Sequence, residues 1–116
     1  MIVTFNTAKL AQEKGYDVFT YNIYDLTGRF CEGNPYSNNT IWIGEDVYKA
    51  PTQSELQKWL RSKGVYVEPQ LVDTLTGQHQ YQIFTTGNGT RNPGKIYDTY
   101  EEALEEGLQQ ALKLIK

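Results

Sequence analysis

The chain has 116 residues, 39% of them hydrophobic and 13% aromatic, with a formal net charge of −3. That length suits one small domain, residues 1–116, whose aromatic side chains can fill a single core without staples. The charge argues against an electrostatic hold on nucleic acid, and the lone Cys31 leaves no disulfide or cysteine-based zinc cluster to build. No stretch reads as a secretory leader or a membrane span. The expectation is a cytoplasmic protein with no membrane role, no metal and no cofactor.

In chain order, residues 2–5 read as a short strand or an ordered arm. Asn6 or Thr7 can cap a short helix over residues 8–14, which Gly15 ends. Residues 18–24 alternate, with Phe19, Tyr21 and Ile23 on one side, as a half-buried strand does. Asp25-Leu26-Thr27-Gly28 turns it, and residues 29–32 return as a hairpin. Gly, Asn, Pro and Ser make residues 33–40 a loop, and Ile41-Trp42-Ile43 a brief edge strand or plug.

The best-marked helix comes next. Thr52 followed by Glu55 is a capping-box pair, Leu56, Trp59 and Leu60 share one face, and Gly64 supplies a left-handed ending with Val65 set to touch Leu60. Residues 65–72 read as a strand that, with Pro69 in it, lies at an edge or carries a bulge. Residues 73–77 turn it, and residues 80–86 return with Tyr81 and Ile83 on one side. A second polar loop spans residues 87–94, and residues 95–97 suggest a third strand. Asp98 or Thr99 caps the last helix, whose stripe is Leu104, Leu108, Ala111, Leu112 and Ile115. Gly107 inside that helix costs about 1 kcal/mol against Ala, so close backbone packing is expected there.

These elements give an α+β class: an antiparallel sheet of two hairpins with helices packed on one face, in the order αββ-αβββα. A displacement of 49 residues lays Gly15 on Gly64, Lys9 on Lys58 and Leu26-Thr27-Gly28 on Leu75-Thr76-Gly77. A duplicated helix–strand–strand unit is one reading of this echo. Independent choice of the same cap and turn residues is the other.

Three stretches carry a resemblance. They are Tyr24-Asp25-x-x-Gly28 with Cys31-Glu32, the run Ala50-Pro51-Thr52-Gln53-Ser54 continuing through Leu56-Gln57-Lys58-Trp59-Leu60-Arg61, and Tyr97-Asp98-Thr99-Tyr100-Glu101-Glu102-Ala103-Leu104-Glu105 with Gly107-Leu108. In these the chain resembles a family of small uncharacterised proteins from gut Bacteroidetes and their associated phages and mobile elements. The resemblance implies a one-domain protein of mobile-element type and brings no activity or catalytic residue.

Motifs with chemical meaning fare poorly on inspection. Residues 89–95 have the G-x-x-x-x-G-K spacing of a phosphate loop, but Ile96 stands where magnesium binding needs Ser or Thr. Cys31 and His79 could form a nucleophile pair only if the fold brought them together. Asp25 and Asp73 both open turns, where side-chain capping accounts for them.

The leading expectation is therefore a non-catalytic accessory or protein-interaction module with a protein partner. Tyr36 and Trp42 are its candidate exposed aromatics, and Arg91 and Lys95 its candidate polar contacts. One alternative is a nucleic-acid-binding domain, because residues 52–116 have the αβββα order of a double-stranded-RNA-binding domain. Another is a small enzyme with a cleft beside loop 87–95, built from Asp, Tyr and Arg91 or Lys95.

Overall fold

The computed structural model describes residues 1–18, 20, 22–32, 47–87, 89–91 and 94–115. Along these run α1 (Phe5–Glu13), β1 (Ile23–Asp25), β2 (Phe30–Cys31), β3 (Val47–Lys49), α2 (Gln53–Ser62), β4 (Val65–Asp73), β5 (Gln78–Thr85), β6 (Gly89–Arg91) and α3 (Tyr100–Lys113). The α+β class and both antiparallel hairpins are present. Each hairpin, however, belongs to its own three-stranded sheet, one ordered β2-β1-β3 and the other β4-β5-β6.

The capping box, the buried face and the glycine ending of α2 form. Thr52 Oγ1 accepts from the Glu55 N–H at 3.1 Å, and Glu55 Oε1 accepts from the Thr52 N–H at 3.0 Å, closing the capping box. Leu56, Trp59 and Leu60 are buried, and Gly64 at φ +80° ends the helix. Both α2 and α3 pack on β4, and α3 also on β5, over a core that includes Val65, Val67, Tyr81 and Ile83. Strand β4 is an edge, as Pro69 suggests. Its backbone is guarded there: Gln57 Nε2 donates to the Val67 carbonyl at 2.6 Å, and Pro69 offers no N–H to an incoming strand.

Helix α3 touches α1, α2, β4 and β5 and so joins the parts of the chain. Its buried Leu104, Leu108 and Leu112 each contribute about 1.5–3 kcal/mol by leaving water. Thr99 is its cap, with Oγ1 accepting from the Glu102 N–H at 3.1 Å. Gly107 lies against β4 and β5, where a Cβ would come within 2.6 Å of Val67 Cγ1. The glycine serves close packing.

Several boundaries differ from expectation. Helix α1 starts at Phe5 because Thr4, rather than Asn6 or Thr7, is the cap, accepting from the Thr7 N–H. The arm before it pairs only at Ile2 with Thr52, and the Met1 carbonyl takes the Gln53 N–H at 2.7 Å, satisfying a free donor at the start of α2. Strand β1 begins at Ile23; Phe19 and Tyr21, and the run at residues 41–43, lie outside the described residues. Strands β3 and β6 were not anticipated. Conversely, the third strand expected at residues 95–97 is a single bridge, His79 to Tyr97.

The smaller sheet rests on aromatic edges. Phe5 meets Tyr24 at 5.6 Å and Tyr48 at 5.7 Å between ring centroids, both edge-on. Gly28, at φ +91°, leaves room for the Phe5 ring, which would stand 3.2 Å from an added Cβ. Beside it, Asp25 Oδ1 accepts from Thr27 N, Thr27 Oγ1 and Arg29 N. The Thr27 hydroxyl and the Arg29 N–H hold that carboxyl below its usual range.

The internal echo is retained in the order of helix, left-handed glycine and hairpin. The registers differ. In the first hairpin Ile23 pairs with Cys31 and Tyr24 with Phe30, without a break. At the matching place in the second, Leu71 pairs with His79 and Asp73 with Gln78, across a bulge.

Candidate functional site

The residues with chemical potential do not converge. Cys31 Sγ points to the Arg29 carbonyl in the smaller sheet, whereas His79 Nδ1 lies 2.8 Å from the Gly77 carbonyl in the larger one. They do not form a pair. Asp73 Oδ1 accepts from the Leu75 N–H at 2.9 Å, an Asx turn like that of Asp25. Gly89 belongs to strand β6, and α3 opens only at Tyr100, so no helix N-terminus follows Lys95 as a phosphate loop requires. Among the described residues no group of three or more His, Cys, Asp or Glu could hold a metal ion.

Of the four candidate contact residues, Tyr36 and Trp42 lie outside the described residues. Arg91 pairs through its backbone with Ile83. Lys95 is exposed, and its Nζ stands 5.4 Å from the centre of the Tyr97 ring, a cation–π contact.

Two clefts lined by described residues bear on the question. One, of about 380 Å³, opens where the three helix starts meet and is lined by Met1, Ile2, Thr4, Gln53, Thr99, Glu101, Glu102 and Glu105. Glu105 is already occupied by the protein. Its Oε2 accepts from the Thr4 N–H and hydroxyl, each at 3.0 Å, and from the Thr7 hydroxyl. Its Oε1 accepts from Gln53 Nε2 at 3.0 Å. The other cleft, of about 390 Å³, is lined by Val18, Glu55, Lys58, Trp59 and Ser62. Neither includes a residue of loop 87–95.

Tyr16 packs edge-on against Trp59, 5.4 Å between ring centroids, and does not line that second cleft. It is 5% exposed, and its hydroxyl has no hydrogen-bond partner among the described residues. Burial, with Glu55 and Asp17 adding to it, pushes this phenol up to about 12. Tyr16→Phe is therefore expected to stabilise the fold by about 1 kcal/mol at pH 7, by removing an unsatisfied buried hydroxyl. Urea unfolding reads this, and a lower midpoint would mean that the hydroxyl is bonded. Tyr81 is likewise pushed up to about 12, by burial first and then by Tyr97 and Glu106. Both folded-state values lie above the unfolded value of 10.0. Stability should thus hold below pH 10 and fall as pH rises through 12, less steeply in Tyr16→Phe.

The feature that stands out is apolar. Leu71 (52%), Val72 (45%), Leu75 (94%), Ile96 (49%) and Tyr100 (43%) are all exposed and gather at the turn end of β4 and β5 and the start of α3. His79 joins them: it pairs with Leu71 across the sheet, bridges to Tyr97, and its ring meets Tyr100 edge-on at 5.7 Å. Here the sheet continues past the helices that cover Val65, Val67, Tyr81 and Ile83. Sequence reading missed this surface because Leu71 and Val72 looked like ordinary strand residues. Leu75 was the available signal, an apolar side chain inside the turn at residues 73–77.

No protein-family model, curated protein or solved structure matches the chain.

Proposed function

We propose that the chain is a small non-catalytic accessory or protein-interaction module, working in the cytoplasm for a phage or mobile element of the kind its sequence words resemble. The observation that carries this reading is the exposed apolar end of the β4–β5 hairpin. Several apolar side chains exposed at one end of a small domain commonly mark an interface, and aromatic residues such as Tyr100 are common anchors in one. The edge guard at Val67 and Pro69 favours docking through side chains rather than strand addition.

Nucleic-acid binding is the second reading, favoured by one observation. From α2 to α3 the chain runs helix, three antiparallel strands in the order β4-β5-β6, helix, with both helices packed on that sheet. Domains of that order hold phosphates with cations at the start of their second helix. Here that helix opens Tyr100-Glu101-Glu102, with both glutamates exposed, and would repel a phosphate chain.

The test is parallel affinity capture with the wild-type chain and with a Leu75→Asp/Ile96→Asp variant, whose changed side chains already face water. Proteins recovered by the first and lost by the second are the expected result. Identical recovery by both would remove the hairpin end as the interface.

A further inference from the structure

Resting on that interaction reading, we infer that the partner seated on the hairpin end is a protein segment carrying lysine or arginine beside its apolar anchors. The argument is charge complementarity around the patch. Asp73 ends β4, two residues from Leu71, and Asp98, Glu101 and Glu102 lie within two residues of Tyr100. All but Asp73 are exposed, and Asp73 is half-buried. Against these four carboxylates the same segments, residues 70–86 and 94–102, offer one ammonium, Lys95, and it already lies on the Tyr97 ring. Glu105 is omitted from the rim because the helix starts consume its oxygens.

The surface between them is apolar, formed by Leu71, Val72, Leu75, Ile96 and Tyr100. An apolar floor with an acidic rim attracts a cationic, apolar-anchored segment and repels an acidic one. The same rim disfavours a second copy of this chain, because two copies facing each other through the patch would set carboxylates against carboxylates.

The experiment is selection of a random 12-residue peptide library on the full chain, with Leu75→Asp/Ile96→Asp as the counter-target. Retained peptides should carry lysine or arginine next to bulky apolar residues. Their affinity should fall at least tenfold on the counter-target, and severalfold on Glu101→Gln/Glu102→Gln or between about 50 and 300 mM salt. The glutamine pair keeps the patch intact and tests the rim even if the aspartate pair disturbs the hairpin. Patch-dependent peptides without basic residues would overturn the inference and leave the interaction reading standing. Absence of any patch-dependent peptide would remove both. Concentration-dependent self-association abolished by Leu75→Asp/Ile96→Asp would give the surface to a second copy and overturn the basic partner.

Discussion

Gly107→Ala is expected to destabilise the domain by about 1–2 kcal/mol, although Gly to Ala in an exposed helix interior stabilises by about 1 kcal/mol. The sign is decided by space. An alanine Cβ would stand 2.6 Å from Val67 Cγ1, 3.1 Å from Tyr81 Cγ and 3.2 Å from Tyr81 Cδ2. Val67 is fully buried and β-branched, so it has one favoured rotamer and no free volume into which to turn. Tyr81 is 4% exposed and packed against Tyr97, ring centroids 6.1 Å apart. Relief must come from moving α3 away from β4 and β5, the contact that closes the core, and overpacking of that kind costs about 1–3 kcal/mol or more. Gly107→Val should cost over 3 kcal/mol by the same reasoning. Thermal unfolding checks both: a Tm lowered by several degrees in the alanine variant is the expected result, and a raised Tm would show that the helix is not seated as closely as described.

Glu105→Ala is expected to cost about 2–4 kcal/mol, an effect out of proportion to one half-buried carboxylate. Its two oxygens collect donors from the start of α1 and the start of α2: the Thr4 N–H and hydroxyl, the Thr7 hydroxyl and Gln53 Nε2. Thr7 is fully buried and Gln53 is 4% exposed, so neither can turn to water when the acceptor is removed. Gln109 Nε2 donates to Thr7 Oγ1 at 2.9 Å, and Gln53 Nε2 also reaches the Glu101 carbonyl at 3.0 Å. Those bonds limit the loss without replacing a negative charge at the positive end of α1. Glu105→Gln should lie between wild type and alanine, because its amide presents donors where the site holds donors. Glu102→Ala, on the exposed side of the same turn, should change stability by no more than about 0.5 kcal/mol. Urea denaturation of the three variants gives the ranking, and equal effects for Glu102 and Glu105 would contradict the network.

The parts of this fold that sequence revealed are those encoded within a few residues. Thr52 and Glu55 specify the start of α2 by touching one another, and Gly64 specifies its end by backbone freedom alone. The stripe of α3 and the alternation of Tyr81 and Ile83 are equally local; Leu104, Leu108, Ala111, Leu112, Tyr81 and Ile83 are buried, while Ile115 falls beyond the helix end and is half-buried. The start of α1 was misplaced because Phe5 suits a strand, while the cap that overrides it, Thr4, reads as part of the same apolar run. Strands β3 and β6 have three residues each and exist by pairing with β1 and β5, which no short window of sequence contains. The Glu105 network was hidden for the same reason: its partners Thr4 and Gln53 are 101 and 52 residues away. The exposed hairpin end was hidden by composition, since an apolar residue in a strand is expected to be covered. Only the fold shows that the helices stop short of Leu71.

That end of the molecule is where the account can be tested most directly, by hydrogen exchange of the chain alone and in complex with the protein recovered by capture. The account predicts slowed exchange in peptides spanning residues 70–80 and 95–102, with α2 unchanged. Slowed exchange over α2 and the middle of β4, with residues 70–80 unaffected, would contradict it.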